Sequence, residues 1–80
     1  MALYTIFASA RKRGFSDLEI IHAIENCILV SELDGFTMFV GPTFAGELLE
    51  IGARHIDNEP DSFNVFHAMK ARTRFLHHDH

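Results

Sequence analysis

The stretch Phe63–Leu76, FNVFHAMKARTRFL, carries one histidine followed by three cations: His67, Lys70, Arg72 and Arg74. Three of the chain's seven Lys and Arg residues fall within the five positions 70–74. Histidine titrates near neutrality and can give or take a proton. Arginine grips phosphate oxygens in a planar fork, and lysine adds a point charge. Together they suit cleavage of RNA through the ribose 2′-OH. That reaction needs a proton acceptor, a proton donor and positive charge at the pentavalent phosphorus. His67, Arg72 and Lys70 are therefore the candidate catalytic residues. Arg54 joins them if its strand pairs with theirs, and Arg74 extends the run. The same spacing also fits a hydrogen-bonded sheet histidine beside a solvated charged end, and spacing alone favours that plainer reading.

Other chemistries find less support. The chain has six histidines, and the terminal His77-His78-Asp79-His80 could chelate a transition metal. A chain end lacks the fixed geometry of a metal site, and neither H-E-x-x-H nor paired C-x-x-C occurs. No metal and no cofactor is expected. Cys27 is the one cysteine, so no internal disulfide forms, which fits a reducing compartment. No G-x-S-x-G is present, and the glycines at 41 and 46 do not form a phosphate-binding loop.

Eighty residues make one domain, and 48% of them are hydrophobic, enough for a modest core. No segment is long enough to cross a membrane. The basic residues near the start follow the apolar run, the reverse of a secretory signal. A cytoplasmic protein is expected. The net charge is −4, but it is unevenly spread. Arg11, Lys12 and Arg13 form one basic cluster and Lys70, Arg72 and Arg74 the other; ten acidic residues and only Arg54 lie between them. Such a chain should not coat nucleic acid indiscriminately, yet it could contact a few phosphates if folding joins its ends. Arg54, Arg74, Arg11, Lys12 and Arg13 are the candidate RNA-binding residues.

These residues must be positioned by a small α+β body. Leu3–Lys12 can form a short helix with Leu3, Phe7 and Ala10 on one side, ended at Arg13-Gly14. Phe15–Cys27 reads as a second helix. Ser16 and Glu19 form a capping box, and Phe15 and Ile20 stand where a hydrophobic staple would. Its predicted buried face is Leu18, Ile20, Ile21, Ile24 and Cys27, with His22 on the surface near Glu19 and Glu25. Ile28–Leu33 and Phe36–Val40 read as strands joined at Asp34-Gly35 by a type I′ hairpin. Gly41-Pro42-Thr43 reads as a turn or bulge. Glu47–Ile56 reads as a strand with Leu49, Ile51 and Ala53 on one side and Leu48, Glu50 and Arg54 on the other. Asp57–Ser62 reads as a polar loop and Phe63–Met69 as a last strand. A short helical turn follows Lys70, and residues 77–80 form a frayed tail. The expected fold is α+β, with the N-terminal helices on one face of a four-stranded, mainly antiparallel sheet. Eight phenylalanines in so short a chain predict an exposed apolar patch, covered by a copy of the chain or by a partner's helix.

RKRGFSDLEIIHAI, then hairpin strands, GELLEIGA and VFHAMKARTRFL, resembles a small bacterial family that is itself similar to BrnT-like toxins of type II toxin–antitoxin systems, within the wider RelE-like ribonuclease group. The resemblance rests on Arg13, Gly14, Phe15 and Ser16 at a helix start, and on Ala68, Lys70, Ala71 and Arg72 after the last strand. It runs from about Arg11 to Leu76. It implies a metal-independent RNA endonuclease neutralised by a cognate antitoxin, or assembled with itself as a homo-oligomer. Two features depart from the pattern. Related sequences often carry a histidine in the first helix, where this chain has Thr5 to Ser9, and RelE-like toxins are usually basic. The alternative is a non-catalytic protein–protein interaction module built on the same sheet.

Overall fold

The structure, a computed structural model, describes residues 2–72. Ala71 and Arg72, where the predicted helical turn would begin, are not helical; the rest of that turn, Arg74 and the tail at 77–80 lie outside the described residues. The chain folds as α+β: a five-stranded mixed sheet with two helices.

The first segment departs from expectation. Leu3–Ile6 is a strand, β1, and only Ala8–Arg11 is helical, α1. Tyr4, Thr5 and Ile6 suit a pleated surface, and an open strand edge is available to them. β1 pairs in parallel with the last strand, β5, placing Tyr4 opposite Phe63 and Ile6 opposite Val65. This pairing outweighs the helical spacing of Leu3, Phe7 and Ala10. The sheet gains a fifth strand, one that runs parallel to its neighbour.

The second helix, α2, covers Asp17–Glu25 and starts as its sequence specifies. The Ser16 Oγ accepts from the Glu19 amide at 3.1 Å, and Glu19 Oε1 accepts from the Ser16 amide at 3.1 Å. Ile20, Ala23 and Ile24 enter the core, with Phe15 and Ile21 packed beside them. Leu18 does not; it is 70% exposed. The buried stripe is centred on Ile20 and Ile24, and Leu18 lies off it. Gly14, at φ +90°, turns the chain between the helices, and the Arg11 guanidinium spans the same turn to Asp17 at 2.7 and 2.8 Å.

Leu29–Leu33 (β2) and Phe36–Pro42 (β3) form a hairpin in which Leu33 faces Phe36. Gly35 has φ +85°, but Asp34 is not left-handed, so the turn is not type I′. Gly41 and Pro42 continue β3 rather than breaking it. A Cβ on Gly41 would collide with the Ala23 carbonyl, so the glycine lets α2 lie directly on the sheet.

Leu48–Ile56 (β4) is central. It pairs antiparallel with β3 on one side and with Glu59–Lys70 (β5) on the other, giving the order β1-β5-β4-β3-β2. The predicted loop at 57–62 is therefore mostly strand. Asn58, at φ 65°, makes a tight turn possible, and β5 begins at Glu59. Pro60 sits where the β4–β5 register shifts, and no β4 residue is paired with it. Leu49, Ile51, Ala53, Val65 and Ala68 meet Ile20, Ala23 and Ile24 in the core between sheet and helices. Burying these side chains is the main stabilising term of the fold. Among the described residues no helix is long and apolar enough to cross a membrane.

Candidate functional site

β5 has twelve residues, and one of them is a bulge. Val65 is paired with Ala53 and His67 with Gly52, so Phe66 has no opposite number. This extra residue inverts the alternation of the strand beyond it. Val65 and Ala68 both face the helices, while His67 and Met69 share the opposite face with Gly52 and Glu50. The bulge carbonyl is held from outside the ladder: Ser9 Oγ donates to the Phe66 oxygen at 2.7 Å.

On that opposite face the Glu50 side chain is wholly buried and is the centre of a polar cluster. His67 Nε2 lies 2.9 Å from Glu50 Oε2. Arg72 donates from Nη2 to Oε2 at 2.7 Å and from Nε to Oε1 at 3.0 Å. The Arg72 backbone amide adds a bond to Oε1 at 3.0 Å. Ala71 donates to the Leu48 carbonyl at 3.0 Å, which lays Ala71 along β4 and brings Arg72 over the carboxylate.

The electrostatics follow from these bonds. Burial pushes the Glu50 carboxyl up, but hydrogen bonds from Arg72 and His67 and the nearby guanidinium charge outweigh it and hold the group below its usual range. The Arg72 guanidinium is raised, chiefly by its hydrogen bond to Glu50. An ionised carboxylate only accepts, so the proton in the Glu50–His67 bond sits on Nε2. In the neutral ring Nδ1 then carries the lone pair, and it has no hydrogen-bond partner among the described residues. The His67 side chain is 29% exposed and that of Arg72 43%. The cluster thus presents a held imidazole and a held guanidinium side by side at the surface.

The other candidate residues are not gathered here. Lys70 is paired with Leu49, so it stands on the helix face, and it binds Glu47 at 3.1 Å. Arg54 is on the face of Glu50 but turns away: its Nε donates to the Gly35 carbonyl at 3.2 Å, and its guanidinium lies 4.5 Å from the Phe66 ring centroid. Arg11 is engaged by Asp17. Lys12 and Arg13 are exposed at the end of α1. Arg74 lies outside the described residues. His22 is not a free surface histidine, because its Nδ1 lies 2.8 Å from the Pro42 carbonyl and its ring packs 4.4 Å from that of Phe44.

Glu50 is the residue that the sequence reading missed. Its signal was a lone acid in the otherwise apolar run Leu48-Leu49-Glu50-Ile51, in a strand buried on both sides. A carboxylate at such a position requires cationic partners. Among the described residues no group of three or more His, Cys, Asp or Glu side chains is arranged to hold a metal ion. None of the family models, curated proteins or solved structures compared with the chain matches it.

Proposed function

We propose that this protein is a small metal-independent RNA endonuclease of the BrnT/RelE-like toxin type, acting through His67 and Arg72. One observation carries the reading: both side chains converge on the buried carboxylate of Glu50, at the surface of one sheet face. Glu50 engages Nε2 and leaves Nδ1 as the nitrogen with the lone pair, the arrangement that readies a histidine to accept a proton. That nitrogen would take the proton of a ribose 2′-OH as the oxygen attacks phosphorus; the bond from phosphorus to the 5′-oxygen breaks, the 5′-oxygen leaves with a proton from water, and a 2′,3′-cyclic phosphate remains. Arg72 would hold a phosphate oxygen and offset the charge that builds there. Lys70 has no part in this scheme, because it stands on the other face. The toxin reading carries with it a cytoplasmic setting and an antitoxin as partner.

The test is expression without a partner. Growth should arrest, and His67→Ala or Arg72→Ala should relieve the arrest while the protein stays folded. Purified protein should cleave RNA in the presence of EDTA. If well-folded wild type leaves growth unaffected and cleaves no RNA in EDTA or in added metal, the catalytic reading fails. A non-catalytic interaction module then takes its place. That second reading is favoured by one feature of its own, the exposed apolar side chains of Val30 and Leu33 in an outer strand of the sheet and of Ile28 just before it.

A further inference from the structure

Among the described residues β2 is an edge strand: β3 lies on one side of it and no strand on the other. Its outer row of backbone N–H and C=O groups is unpaired within the sheet, a template for another extended chain. Protected edges carry lysine, proline or a bulge. Leu29–Leu33 carries one charge, Glu32, but no lysine, proline or bulge, and it pairs with β3 in unbroken register. Instead it is flanked by apolar surface. Ile28 is 60% exposed, Val30 54% and Leu33 39%. The other edge, β1, is only four residues long.

The charged side chains of β2 and of the turn after it are acidic. Glu32 lies within the strand and Asp34 in the turn that follows. Glu32 and Leu33 also line a shallow depression of about 410 Å³, together with Thr37, Arg54, His55 and Asp57. Glu32 accepts from the neutral Thr37 hydroxyl at 3.0 Å. Among the described residues, Glu32, Asp34 and Asp57 take part in no ion pair. Arg54 is the one cation lining the depression, and it is turned to the Gly35 carbonyl and the Phe66 ring. The two hairpin turns, at 34–35 and 57–58, bring these carboxylates to one end of the sheet, whereas Lys70 and Arg72 follow β5 to the other.

From this we infer that the β2 edge is a docking site for an extended, basic segment of a partner protein. The segment adds as a sixth strand beside Leu29–Leu33, sets apolar side chains against Val30 and Leu33, and places a Lys or Arg in the depression between Glu32 and Asp57. The open edge calls for an extended backbone, Val30 and Leu33, on opposite faces of the strand, for apolar side chains on both faces of the segment, and the carboxylates for positive charge. The site does not depend on the RNA reading: it lies at the far end of the sheet from Arg72, and its test uses neither RNA nor growth.

The full chain is titrated with an N-acetylated, C-amidated peptide that repeats lysine-valine-valine, and separately with its glutamate-valine-valine counterpart. Binding is followed by amide chemical shifts and hydrogen exchange. The basic peptide should shift and protect the amides of Leu29–Leu33, and the acidic peptide should not. Glu32→Lys, on an exposed side chain, should leave the fold intact and weaken the basic peptide about tenfold. Three results would overturn the proposal: no perturbation of β2 at millimolar peptide, equal binding of both peptides, or concentration-dependent protection of β2 without peptide. The last would make a second copy of the chain the occupant.

Discussion

Arg72 holds Glu50 twice over, through its backbone amide and through its guanidinium, across a sequence separation of 22. The contact therefore fixes the direction of the chain after β5 as well as a side chain. It gives Glu50 two tasks, closing the end of the sheet and orienting His67. Removing the carboxylate should disturb both at once.

Glu50→Gln keeps the shape and removes the charge. It should destabilise the fold by about 3 kcal/mol, measured by urea denaturation, because a buried ionic cluster loses one partner. A change within 0.5 kcal/mol, as for an ordinary surface substitution, would show that the cluster is not formed in solution.

The same cluster sets a pH dependence. The folded-state pKa of Glu50 lies below its ordinary value of 4.5. The carboxylate thus contributes stability that is present above that ordinary value and is lost as pH falls through the folded-state value. The stability difference between wild type and Glu50→Gln should be constant near neutrality and shrink in acid. A difference that instead grew in acid would contradict the assignment.

Gly41→Ala should be far costlier than its size suggests. The new methyl would press into the backbone of α2 at Ala23, where neither partner can rotate away. A loss of about 3 kcal/mol is expected from overpacking, read as a lower thermal midpoint.

Helix α2 offers an internal comparison. Ser16→Ala should cost about 1 kcal/mol through the lost capping box. Ile20→Ala should cost about 3 kcal/mol, because Ile20 is fully buried. Leu18→Ala should be nearly neutral, since Leu18 stands in solvent. Denaturant midpoints of the three variants check the order, and a Leu18 effect as large as that of Ile20 would refute the packing.

Lys70→Ala separates the two faces of the sheet. If RNA cleavage runs through His67 and Arg72, the variant should retain activity within about threefold, because Lys70 pairs with Glu47 on the helix side. A loss as deep as that of Arg72→Ala would mean that all three residues share one site.

Local rules in the sequence determined much of the architecture. Ser16 and Glu19 marked the start of α2, since a capping box is made by residues three apart. Asp34-Gly35 marked the hairpin, and the alternation of Leu49, Ile51 and Ala53 marked the core face of β4. The tertiary structure decided what depends on distant pairing. Leu3–Ile6 became a strand because β5 offered it an edge, which no local pattern near residue 3 reveals. His67 reached the face of Glu50, and Lys70 the opposite one, because the bulge at Phe66 inverts the strand's alternation. A bulge is one unpaired residue in a ladder, defined by the register of two strands together, so neither strand's sequence alone contains it.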